Sequence, residues 1–208
     1  MQITSVSKDK QHQLKVTFQN GDVMLVDADV CAENGIKVGL TLCDEEINSL
    51  KHTSDLRRAK SRALWYLDRM DYTEKKLFEK LLKAGFRKEI CAETLAYLCE
   101  FSLVDDKRYA ERLAERYRES NVSKREAVNK LYLKGVPLSL AKQVCVCFET
   151  DETDTVKNLI KEKYAAKLSA ENGSQKVFAA LIRKGFSYQS VREAMKSYIE
   201  ESEFSEEY

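Results

Sequence analysis

The side chains of this sequence that could do chemistry are two histidines, six cysteines and a dense set of charges. His12 and His52 have no Ser-His-Asp order around them and no second histidine at metal-ligand spacing, so both are read as solvated side chains. Cys145-Val146-Cys147 offers one pair of thiolates where a zinc site usually needs two ligand pairs. Cys91, Cys99 and Cys145 are therefore read as small core residues. Asp105-Asp106 is a carboxylate pair of the kind that holds a divalent ion. A basic helix follows at once, so cap and first-turn dipole partner is the preferred reading. No glycine-rich phosphate loop is present. The expectation is a protein without catalytic residues, bound metal or cofactor.

The charges carry more information. Arg108, Arg112 and Arg116 recur every four residues and form one stripe of a helix, beside a stripe of Tyr109, Leu113 and Tyr117 that faces a core. Arg118, Lys124, Arg125, Lys130 and Lys134 follow. Glu111, Glu115 and Glu119 offset the first row, but only Glu126 offsets the group at 124–134. The formal net charge of +1 hides a division: 1–53 carries −3, 54–134 carries +6 and 135–208 carries −2. The basic middle is where an anionic partner is expected. A second cluster, Arg57-Arg58-Ala59-Lys60-Ser61-Arg62, reads as a solvated helix face. Trp65, Tyr66 and Tyr72 have the chemistry of stacking platforms, yet aromatics at helical spacing are expected in a core.

The elements that position these residues follow from a phrase that occurs three times. Leu81-Leu82-Lys83-Ala84-Gly85-Phe86, Leu131-Tyr132-Leu133-Lys134-Gly135-Val136 and Leu181-Ile182-Arg183-Lys184-Gly185-Phe186 place glycines 50 residues apart. Each predicts a helix that ends at a glycine in the left-handed C′ conformation. One proline and seven glycines in 208 residues also favour helices. Ahead of the repeats, Leu14–Phe18 and Val23–Val26 flank Asn20-Gly21 and predict a hairpin. The expected fold is mainly α: three tandem three-helix repeats after a small N-terminal sheet with short helices. The boundaries read as 1–53 for the α+β part, 54–102, 103–149 and 150–201 for the repeats, and 202–208 for an acidic tail. Asp71 with Glu74, and Ser123 with Glu126, are expected to open the middle helices of the first two repeats. Stacked blocks of this kind suggest an elongated molecule.

Ala63-Leu64-x-Tyr66-Leu67-x-Arg69, Thr73-Glu74-x-x-Leu77-x-x-x-Leu81-x-x-x-Gly85-Phe86 and Leu103-Val104-Asp105-Asp106-x-Arg108-Tyr109-Ala110 together resemble the RecX family, over about residues 60–136. The resemblance implies tandem three-helix repeats, no catalytic activity, and binding in the groove of the RecA filament on DNA, where the protein restrains strand exchange and ATP hydrolysis. On that reading Arg69 joins Arg108, Arg112, Arg116, Arg118, Lys124, Arg125, Lys130 and Lys134 as contacts to the filament or its DNA. Two rivals stand beside it: a sequence-nonspecific DNA-binding helical protein with no RecA dependence, and a helical protein–protein adaptor. A cytosolic monomer is expected, since no stretch is long and apolar enough for a membrane span and no signal core opens the chain.

Overall fold

The computed structural model describes residues 1–9, 12–149, 152–168 and 170–206. The chain divides into two compact units, Met1–Asp105 and Asp106–Tyr208. In the first, β1 (Ile3–Lys8), β2 (Gln13–Phe18) and β3 (Val23–Asp27) form an antiparallel sheet in the order β1-β2-β3. The Asn20-Gly21 turn joins β2 to β3, with Gly21 at φ +86 and the Asn20 side chain accepting from the Asp22 N–H at 3.0 Å. Alternation sends Val16, Phe18, Met24 and Val26 to one face, where they bury with Ile3, Val30, Cys31 and Leu50. That core is closed by α1 (Ala28–Glu33) and by α2 (Asp44–Leu67).

The helix α2 runs unbroken from the N-terminal part into the first repeat. Its N-cap is Cys43, whose sulfur accepts from the Glu46 N–H while the Glu46 carboxylate accepts from the Cys43 N–H at 2.7 Å. Those bonds to Cys43 hold the Glu46 carboxyl below its ordinary range. Buried Ser54 accepts from the Asp27 N–H at 2.8 Å and ties β3 to α2. Asp27 in turn caps α1.

The first repeat is completed by α3 (Glu74–Lys83) and α4 (Lys88–Glu100). In the second unit, α5 (Asp106–Glu119), α6 (Lys124–Leu133) and α7 (Leu138–Val144) form the next repeat. The third has α8 (Glu152–Leu159), a π turn at Ile160–Tyr164, α9 (Ala165–Leu168), α10 (Gly173–Arg183) and α11 (Tyr188–Glu206). The middle helices bury the same two positions in every copy: Leu77 and Leu81, Ala127 and Leu131, Val177 and Leu181. Each ends in a Schellman motif. The Phe86, Val136 and Phe186 N–H groups donate to the Leu81, Leu131 and Leu181 carbonyls, and Gly85, Gly135 and Gly185 sit at φ +93, +98 and +93.

Several local expectations are corrected. The N-cap of α3 is Thr73, whose hydroxyl accepts from the Lys76 N–H, and not Asp71. Ser123 caps α6, but the Glu126 carboxylate pairs with Lys130 at 2.7 Å. Leu64 is 44% exposed because α2 turns only Ala59 and Ala63 fully into the core there. The last helix reaches Glu206, into the stretch 202–208 expected as a tail; Glu207 and Tyr208 lie outside the described residues. Thr150, Asp151 and Ser169, within the expected third repeat 150–201, lie outside them too.

Candidate partner-binding surface

The α5 stripe forms as its spacing requires. Ala110, Leu113 and Ala114 are buried and Tyr109 and Tyr117 half-buried, while Arg108, Arg112 and Arg116 are exposed. Glu115 accepts from Arg118 at 2.8 Å, and Glu111 lies 3.8 Å from Lys107. Lys130 lies between the Glu126 carboxylate and the Tyr117 ring, whose centroid is 5.4 Å away. Burial pushes the Tyr117 phenol up in pKa, against the pull of Lys130 and Arg116. Lys134 is the C-cap of α6 and is exposed.

Lys124 and Arg125 have a different setting. They open α6 where the third repeat docks, and line a cleft of about 810 Å³ with Val128, Lys142, Val146 and Gly185. The docking contact is Ser123, 1% exposed, which accepts from the Glu126 N–H at 3.2 Å and donates to the Lys184 carbonyl. Gly185 approaches so closely that a Cβ there would stand 3.0 Å from both the Arg125 Cβ and the Ser123 Oγ. Lys142 was not singled out from sequence, because nothing local connects α7 to α6.

Arg69 belongs to the first unit and does not share an element with the others. Its guanidinium lies 3.5 Å from the Trp65 ring centroid and donates to the Trp65 carbonyl at 2.9 Å. Trp65, expected in a core, is 46% exposed. The cluster at 57–62 splits. Arg57 reaches Asp27, Asp29 and Glu33 at 3.6, 3.0 and 2.8 Å and so fastens α1 to α2. Arg58 pairs with Asp55, whereas Lys60 and Arg62 lie over the rings of Tyr97 and Trp65.

Among the residues weighed for catalysis, His52 Nε2 contacts Glu93 Oε1 at 2.9 Å on the exposed α2–α4 face. Cys145 is fully buried and its thiol is pushed up to about 11, while Cys147 is exposed. No group of three or more His, Cys, Asp or Glu among the described residues is arranged to hold a metal ion. No helix among them is long and apolar enough to cross a membrane.

Comparison with known proteins gives a consistent result. The family model for "RecX, first three-helix domain" matches residues 59–98. A protein of Clostridium tetani named "Regulatory protein RecX" is 24% identical over 95% of this chain and 94% of its own. One of the same name from Clostridium perfringens is 27% identical over 89% and 91%. Two solved structures share the fold. "Crystal structure of regulatory protein RecX" aligns with a TM-score of 0.70 at 20% identity, over 94% of this chain and 98% of that one. "Crystal structure of RecX from Lactobacillus salivarius" gives 0.65 at 22%, over 70% and 97%.

Proposed function

We propose that the chain is a member of the RecX family and, on that premise, a non-enzymatic regulator that binds the RecA filament on DNA and holds down its recombinase activity. The supporting observation is the exposed basic residues of α5 and α6: Arg108, Arg112 and Arg116 are exposed in one row of α5, and Lys124 and Arg125 line a cleft at the start of α6. A row of exposed guanidinium groups suits an acidic protein surface or a phosphate backbone, because each fork matches a carboxylate or phosphate bidentately. The reaction itself stays with the recombinase; this chain contributes only differential binding.

The test is co-sedimentation with RecA–DNA filaments together with RecA ATP hydrolysis. Wild-type protein should sediment with the filament and slow hydrolysis. The reversal Arg112→Glu, Lys124→Glu, Arg125→Glu should weaken both by an order of magnitude or more, since like charges then face each other. Unchanged hydrolysis and strand exchange with equimolar wild-type protein would refute the reading. Retained co-sedimentation by the triple variant would move the contact off this surface.

A further inference from the structure

Within the second unit, two depressions lie where the third repeat docks on α6, and Arg125 and Gly185 border both. One is the cleft of about 810 Å³, whose apolar lining includes Val128 from α6 and Val146 from the 3₁₀ turn Val146–Glu149. Val146 is 57% exposed. The other, a notch of about 760 Å³, takes Asn129 from α6 and Arg183 and Lys184 from the end of α10. Arg125, Lys142, Arg183 and Lys184 are all exposed, and none of the four has an ion pair with a carboxylate among the described residues. The carboxylates that line the two depressions are engaged elsewhere. Glu126 pairs with Lys130 at 2.7 Å, and Glu152 accepts from the Ser187 N–H at 3.3 Å and from the Ser190 hydroxyl at 2.7 Å. No aromatic ring lines either depression among the described residues.

We propose that the two depressions form one docking groove for an acidic peptide segment of a protein partner. A bulky apolar side chain of that segment enters the cleft beside Val128 and Val146, and carboxylates before and after it meet Lys142 in the cleft and Arg183 and Lys184 in the notch. The inference rests on the reading of α6 as partner-facing and names the chemistry of what it meets. Charge decides for an acidic segment, because four cations without a carboxylate repel a basic one and leave a neutral one without partners for them. The apolar lining decides against nucleic acid, since a phosphate backbone gains nothing from two valines and a base finds no ring to stack on. An apolar anchor in a pocket with a charged rim lets a few side chains carry most of the binding energy. The groove also gives the third repeat a part in binding that its overall charge conceals, for Arg183 and Lys184 lie in the stretch 135–208 that carries −2.

The probe is a short fluorescein-labelled peptide of glutamates with two central leucines, beside a twin that has glycines in their place. Anisotropy with the full chain should show saturable binding of the leucine peptide and roughly tenfold weaker binding of the glycine twin. Lys142→Glu, Arg183→Glu and Val146→Asp, all at exposed positions, should each weaken the leucine peptide by roughly five- to tenfold. Unlabelled leucine peptide should displace the probe better than an oligo-dT strand of equal charge. No saturable binding, equal affinity for the two peptides, insensitivity to any one of the three substitutions, or stronger displacement by oligo-dT would each overturn the proposal. These measurements use no RecA, so the two readings fail separately. A chain that binds the leucine peptide but not the filament keeps the groove and loses the filament reading, whereas one that binds the filament and takes both peptides equally loses the groove alone.

Discussion

Ser123 does two jobs with one hydroxyl. It caps α6 by accepting from the Glu126 N–H and fastens the third repeat by donating to the Lys184 carbonyl. Both partners are backbone groups at helix ends that would otherwise lack one bond each, so the hydroxyl is worth more than a cap alone. Ser123→Ala is expected to cost about 1–3 kcal/mol. Urea unfolding checks this, and an unchanged midpoint would contradict it. The buried thiols give a second test. Burial raises Cys145 from 9.0 to about 11, so the unfolded chain ionises that thiol first; its contribution is intact below pH 9.0 and lost between there and about 11. Cys145→Ala should therefore make the alkaline fall in stability shallower over that window. A thiol reagent should modify exposed Cys43 and Cys147 rapidly in the native protein and spare buried Cys31, Cys91 and Cys145.

At the scale of the element, the repeated glycine is one conformation put to unequal use. All three copies adopt positive φ, so any Cβ is strained there. At Gly85 a Cβ would meet nothing within 4 Å, whereas at Gly185 it would press on Ser123 and Arg125 at 3.0 Å. Gly85→Ala should cost about 1 kcal/mol from the backbone alone, and Gly185→Ala clearly more. Thermal melts of the two variants decide, and equal losses would show that the close approach is relaxed freely. The third repeat differs also in its first helix. The π turn at 160–164 adds one residue to the turn, so that Tyr164 and Leu168 pack on the core while Lys163 and Lys167 point outward.

Among the described residues, each of the two compact units holds two hydrophobic cores. Leu131 is fully buried in the second unit, and Leu131→Ala should remove about 2–5 kcal/mol. Hydrogen exchange should then accelerate across the helices of 106–206 and leave the amides of the β1–β3 sheet nearly as protected as before. Equal acceleration in both would mean that the units unfold as one.

The sequence alone determined the repeat, the hairpin and the arginine stripe. Each rests on short-range rules: a left-handed stop that only glycine takes freely, a turn that favours Asn-Gly, and a helical period that separates Arg112 from Leu113. The resemblance to the RecX family was legible for the same reason, since the phrase around Asp105-Asp106 is local. Only the tertiary structure decided what those residues meet. Arg57 looked like part of a free basic run, but α1 brings three carboxylates to it across some thirty residues of chain. Trp65 looked like core until the packing of α2 left it outside, with Arg62 and Arg69 over its ring. Ser123 read as a cap, and the chain sixty-one residues away made it a joint as well. Periodicity fixes which side of a helix a residue is on; the partner across the interface is set by long-range packing, which no local pattern encodes.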